Sequence, residues 1–305
     1  MEWYYWVLLI IAISMIIYFV FGFVVHSYIF KRVKEIDTLY PFLSEYKDKI
    51  HQGASELEKQ QKEEVSITSF DNKKLHGYYF DNLQDKCVIL FHGYHSHGFY
   101  DFGGIFKEYY KLGFKILIVD QRAHGKSDGK YATCGILERY DALFWARYID
   151  GRFNGKVNII IEGGSMGAST VMLASSFDLP KTVKGIIADC GFTSAYDIVS
   201  YTVKNKYHLP LFPIMSAINI AAKIKTGHYL NEVSTVTELK KCKVPICLIH
   251  GTKDSIVPYE MTLSNYESVS TKKYKVIVEG ADHGGSFFKE NERCRKELYE
   301  FLKEI

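Results

Sequence analysis

The sequence predicts an α/β chain: a doubly wound, mostly parallel sheet with helices on both faces and a small helical cap, preceded by one transmembrane helix. Three observations lead there. Apolar runs of strand length alternate with helical segments, and their continuous apolarity marks strands buried on both faces. The first of the 305 residues form a long uncharged stretch. The rest has the ordinary globular balance of 47% hydrophobic and 24% charged residues, enough for one domain of about 240 residues with its own core.

Trp3–Val25 carries no charged side chain. At about 1.5 Å per helical residue it is long enough to cross a hydrocarbon core of about 30 Å. Trp3, Tyr4, Tyr5 and Trp6 at one end and Tyr28 at the other suit the headgroup interface. No basic residue precedes the stretch and no A-x-A-like site follows it, which argues against a cleaved signal peptide. Residues 1–30 are therefore expected to be a single membrane anchor. Lys31, Arg32 and Lys34 follow it, and the basic flank stays cytoplasmic. The cysteines agree: Cys87, Cys190 and Cys247 fall in or beside apolar runs, and the six show no disulfide-framework spacing. The expected location is the cell membrane, single-pass, with the globular domain in the cytoplasm.

Residues 31–64, rich in Lys, Glu and Gln, read as a helical, solvated connector. From residue 65 the pattern changes. "VSITSFDNKKLHGYYF" predicts a hairpin about Asp71-Asn72. Strands follow at "CVILF" (87–91), "KILIVD" (115–120), "VNIII" (157–161), "VKGIIAD" (183–189), "VPICLIH" (244–250) and "YKVIVE" (274–279). In such a sheet, sites collect at the carboxyl ends of the strands. Residues 192–237 exceed a normal connection and contain the apolar "LPLFPIMSAINIAAKI", a cap insertion in which Leu211, Phe212 and Met215 are candidates to wall a substrate pocket. The formal charge of +3 is spread along the chain, without the basic, aromatic-interleaved run of a nucleic-acid groove.

"IIIEGGSMGAST" places Gly163-Gly164-Ser165-Met166-Gly167 between a strand and a helix-compatible run. A G-x-S-x-G turn there exposes the serine hydroxyl at the sheet edge, while the next backbone N–H faces a developing oxyanion. A serine needs a base, and the base needs an acid to hold its tautomer. "LIHGTKDSIVP" puts Asp254 past a strand end and "VIVEGADHGGSF" puts His283 past the last strand, in the chain order Ser, Asp, His that goes with this turn. Asp189, also at a strand end, is an alternative acid. His92, His95, His97 and Asp101 lack the spacing of the common hydrolytic metal site and read as a structural turn. His250 reads as a packed residue.

With "FHGYHSHG" (91–98), "DQRAHGKSDG" (120–129) and "ADCGFTS" (188–194), residues 65–305 resemble the α/β-hydrolase family, in particular its lipase, thioesterase and acyl-peptide-hydrolase-like branch. Ala123 stands where that family usually has glycine. The resemblance implies an α/β-hydrolase fold, an oxyanion hole from the backbones of Tyr94 and Met166, and hydrolysis of a small acyl ester through an acyl-enzyme on Ser165. No metal or organic cofactor is required by that scheme. Thioester or peptide hydrolysis by the same triad is the alternative, and a non-catalytic binding protein is a more distant one.

Overall fold

The computed structural model describes residues 2–32 and 41–305; Lys34 lies outside the described residues. Eight strands form one sheet: β1 (Glu63–Thr68), β2 (Lys74–Phe80), β3 (Lys86–Phe91), β4 (Lys115–Asp120), β5 (Asn158–Gly164), β6 (Val183–Asp189), β7 (Ile246–Gly251) and β8 (Lys273–Val278). Their order is β1-β2-β4-β3-β5-β6-β7-β8. β1 and β2 are the expected hairpin, β2 pairs antiparallel with β4, and all other neighbours are parallel.

The helices, in chain order, are α1 (Trp3–Phe30), α2 (Lys47–Glu58), α3 (Gly98–Lys111), α4 (Glu138–Arg152), α5 (Met166–Ala174), α6 (Ala195–Tyr201), α7 (Leu211–Thr226), α8 (Thr235–Glu238), α9 (Tyr259–Ser268), α10 (Ser286–Lys289) and α11 (Asn291–Lys303). Alternation along β3 sorts them onto the two faces. Cys87, Ile89 and Phe91 pack with Trp145 and Ile149 of α4 and Val171 of α5, whereas Val88 and Leu90 pack with Phe102 and Ile105 of α3 and Leu298 and Phe301 of α11. The strands are apolar throughout because both faces are covered. This is the α/β-hydrolase fold.

Three segments differ from the sequence expectation. α2 is not a solvated connector: Ile50, Ala54 and Leu57 are buried, and Leu57 joins the core with Phe102 and Ile105. Its polar composition reflects only the outer face of an amphipathic helix.

α1 has two parts. From Trp3 to Phe21 every side chain is exposed except the half-buried Tyr18, whereas Gly22, His26 and Phe30 form a buried stripe at a spacing of four. That stripe docks on the body. A Cβ on Gly22 would lie 2.5 Å from the carbonyl oxygen of Ala217 in α7, His26 and Tyr131 have ring centroids 5.2 Å apart, and Ala132 N–H donates to Phe30 O at 2.9 Å. The free apolar part is therefore shorter than Trp3–Val25.

Between β6 and β7, α6 and α7 form the cap. Here Met215 is buried with Met166, Phe192 and Ile218, in a cluster that Phe30 of α1 also joins. Leu211 and Phe212 are instead exposed, Phe212 by 80%. They sit at the first residues of α7, before its buried face begins, so with Met215 they do not form one apolar wall.

Candidate active site

Ser165 is the single residue between β5 and α5, held at φ 53° and ψ −112°, a conformation that costs energy for any residue with a Cβ. The two flanking glycines make this turn sterically possible. A Cβ on Gly163 would fall 2.2 Å from the carbonyl of Gly167, and one on Gly167 only 1.8 Å from Phe91 O. Ser165 N–H donates to Asp189 O at 2.8 Å, tying the turn to the end of β6.

The structure brings Ser165, His283 and Asp254 into one hydrogen-bonded chain. His283 Nε2 lies 2.9 Å from Ser165 Oγ, and its Nδ1 lies 2.7 Å from Asp254 Oδ2. Asp254 Oδ1 accepts from the N–H groups of Ile256 and Val257 at 2.9 and 2.7 Å. Burial alone would push the Asp254 carboxyl up, but the imidazole of His283 and hydrogen bonds from His250 and His283 outweigh it, so the group stays well below the usual carboxylate range. Burial makes His283 less basic, and Cys190 and Asp254 more than restore it, leaving its pKa well above that of an exposed histidine. Of these neighbours Asp254 holds the charge at neutral pH, because burial pushes the Cys190 thiol up to about 11.

Two supporting residues had no sequence signal of their own. His250 is fully buried, with Nε2 3.0 Å from Asp254 Oδ2 and 3.0 Å from Val257 O, and Nδ1 2.6 Å from Thr262 Oγ1. It is packed as expected, but what it packs against is Asp254. Asp282 accepts from Ser255 N, Ser255 Oγ and His283 N at 2.8, 2.8 and 2.7 Å, clamping the two loops that carry Asp254 and His283. Asp189, the alternative acid, is half-buried, with a buried Oδ1 lacking a hydrogen-bond partner among the described residues, and burial pushes its carboxyl up to about 6. It holds Ser165 through its backbone.

Met166 opens α5, so its N–H is one of those a helix leaves unused internally. The loop after β3 passes beside the serine: a Cβ on Gly93 would sit 3.4 Å from Ser165 Cβ. Tyr94 follows on that loop. Gly93 N–H is fixed by Asp101 Oδ2 at 2.6 Å, His92 Nδ1 meets Gly93 O at 2.7 Å, and His95 N–H donates to His124 Nε2 at 3.1 Å. His92, His95 and Asp101 thus shape a turn. Among the described residues, Cys190, Asp254 and His283 do present donor atoms within 4.8 Å of one another, but a cation held there would have to break the Asp254–His283 hydrogen bond.

A serine on a strained turn, linked through a histidine to a buried carboxylate at the C-terminal edge of a parallel sheet, defines a serine hydrolase of the α/β-hydrolase class. Residues 112–305 match the prolyl oligopeptidase family, and the chain belongs to that family. It is 31% identical over 191 residues to the uncharacterized protein YqkD of Bacillus subtilis strain 168, spanning 63% of the length of each protein. Among solved structures it resembles the Pyrococcus furiosus esterase Pf2001, with 26% identity, a TM-score of 0.67, and coverage of 90% of this chain and 97% of that one. The esterase EaEST of Exiguobacterium antarcticum shares the fold at 18% identity and a TM-score of 0.57, over 78% of this chain and 99% of that one.

Proposed function

We propose that this protein is a membrane-anchored carboxylesterase that cleaves lipid-like acyl esters through an acyl-enzyme on Ser165. The observation that carries the reading is the Ser165–His283–Asp254 chain at 2.9 and 2.7 Å. His283, neutral with its proton on Nδ1 facing Asp254, takes the Ser165 proton as Oγ attacks the acyl carbon. The backbone N–H groups of Tyr94 and Met166 stabilise the tetrahedral oxyanion. Collapse breaks the acyl C–O bond, and His283 returns the proton to the departing alkoxide. Water repeats the sequence to release the acid, and every proton is handled by this chain's own residues.

The ester reading is supported by the likeness to the Pyrococcus furiosus esterase; peptide or thioester cleavage by the same residues is the second reading, favoured by the match to the prolyl oligopeptidase family. The membrane reading is supported by the exposed apolar residues of α1, and a cytoplasmic domain by Lys31 and Arg32 after it. Ile29, whose carbonyl accepts from Tyr94, lies eight residues beyond Phe21, about 12 Å along the helix. The catalytic edge is thus close to any bilayer that α1 crosses.

A fluorophosphonate probe should label wild-type protein and fail on Ser165→Ala. kcat/KM on matched ester, thioester and amide substrates should fall in that order. Equal labelling of Ser165→Ala would remove the serine from its role, and preference for the amide would replace esterase by peptidase.

A further inference from the structure

Among the described residues of the body, no other segment is exposed in the way that the connection into α7 is. Residues 204–213 are an unbroken exposed run, containing Tyr207, Leu209, Leu211 and Phe212 at 52%, 46%, 37% and 80% exposure. Among the described residues away from α1 and the cap, the other exposed large apolar residues, Phe70, Leu83 and Tyr110, are scattered singly, as on any soluble surface. Lys204 and Lys206 stand at the start of the run. A basic flank, an interfacial aromatic and a group of protruding apolar side chains is the composition of a segment resting in a lipid interface.

The packing of α1 against α7 says which surface would meet it. Gly22 touches Ala217, and Lys225 Nζ donates to Phe23 O at 2.6 Å and bonds Ser27 Oγ. Contacts rise together in both helices, so the two run side by side in the same direction. Pro213, where regular helix resumes after the non-helical Phe212, therefore lies about four residues, or 6 Å, beyond the Ala217 contact, toward the free apolar part of α1, with Phe212 joined directly to it.

We propose that the 204–213 segment is a second membrane contact. Leu209, Leu211 and Phe212 enter the boundary between headgroups and acyl chains of the bilayer that α1 crosses, while Lys204 and Lys206 meet lipid phosphates. The cap is then fixed against the membrane at two points, with the Ser165 edge facing lipid-borne substrate. This rests on the reading of α1 as a membrane anchor, and its test separates the two.

The full-length protein is spin-labelled at Phe212→Cys and reconstituted into phosphatidylcholine vesicles containing phosphatidylglycerol. The six native thiols are buried, so the introduced one reacts first. Matching samples carry Leu83→Cys, on the body, and Ile10→Cys, within α1. The label at position 212 should collide with oxygen in preference to a water-soluble nickel chelate, with a ratio at least about threefold above that at position 83. A water-like ratio at 212 with a bilayer-like ratio at 10 overturns the second contact and leaves the anchor. Water-like ratios at both overturn the anchor and this inference with it. Dipolar broadening at 212 that disappears on dilution with unlabelled protein shows a second copy covering the segment, and also overturns it.

Discussion

The hydroxyl of Tyr94 donates to the backbone carbonyl of Ile29, so the loop beside Ser165 is tied to the last turn of the N-terminal helix. Arg32 extends the tie, with Nη1 2.7 Å from Ser127 O. A helix whose composition speaks only of lipid thus also braces the loop beside Ser165.

Tyr94→Phe removes the hydroxyl that makes that tie. If the Tyr94 N–H is an oxyanion donor, its misplacement affects the transition state more than substrate binding. We expect kcat to fall by up to about tenfold with KM nearly unchanged, less than the loss of a whole donor, and stability to fall by about 1 kcal/mol. Steady-state kinetics with thermal denaturation checks this, and a lower Tm with an unaltered kcat would make the tie purely structural.

The pH profile follows from the triad's charges. Asp254 raises the pKa of His283, and only the neutral imidazole can accept the serine proton. kcat/KM should therefore rise with pH along a limb lying above the value of about 6.5 for an exposed histidine. Asp254→Asn withdraws the charge, so the limb should move to lower pH while kcat drops by about 10⁴, the size of loss that replacing the triad aspartate by asparagine causes in serine proteases. A pH-rate profile of both proteins decides it, and an unmoved limb would count against His283 as the titrating base.

Asp189 offers a contrasting test. Its folded pKa is raised to about 6 from an unfolded value near 3.9, so between these pH values the native state binds more protons than the unfolded one. Its contribution to stability is lost as pH rises from about 4 through 6 and stays absent above. Asp189→Asn should therefore be more stable than wild type at pH 7.5, on the order of 1 kcal/mol, with the difference gone near pH 4. Activity should remain within about tenfold of wild type, against the far larger loss at Asp254. Loss of activity at Asp189 without unfolding would exchange the two acids.

What the sequence made legible was what local pattern controls. Strands buried on both faces leave continuous apolar runs, and the Ser165 turn leaves its two glycines because backbone there passes within 2.2 Å of any added Cβ. Ala123, the departure from the family pattern, is held at φ 61°, which explains why glycine is usual there. Long-range packing left no such mark. In a uniformly apolar helix the stripe Gly22, His26, Phe30 does not stand out, and helix-like spacing around Leu211 and Phe212 does not reveal that the buried face of α7 starts only after them. Likewise, nothing local in "LIHGTKD" shows His250 turning back onto Asp254.

The docking of α1 can be tested at Gly22, where two effects have opposite signs. In a membrane helix without protein neighbours, Gly22→Ala should be neutral or favourable, because alanine is the better helix former by about 1 kcal/mol. In this structure the added Cβ would sit 2.5 Å from Ala217 O and 2.8 Å from its carbonyl carbon, backbone atoms that can move only if the helices separate. Separation would loosen the cluster that Phe30 shares with Met215 and Met166, and overpacking of this kind costs about 1–3 kcal/mol. The prediction is a lower Tm for Gly22→Ala in detergent or vesicles, with membrane association retained because Trp3–Phe21 is unchanged. Ile16→Leu, in the exposed part, should leave Tm where it is. A Gly22→Ala protein as stable as wild type, or more so, would mean that α1 does not pack on α7.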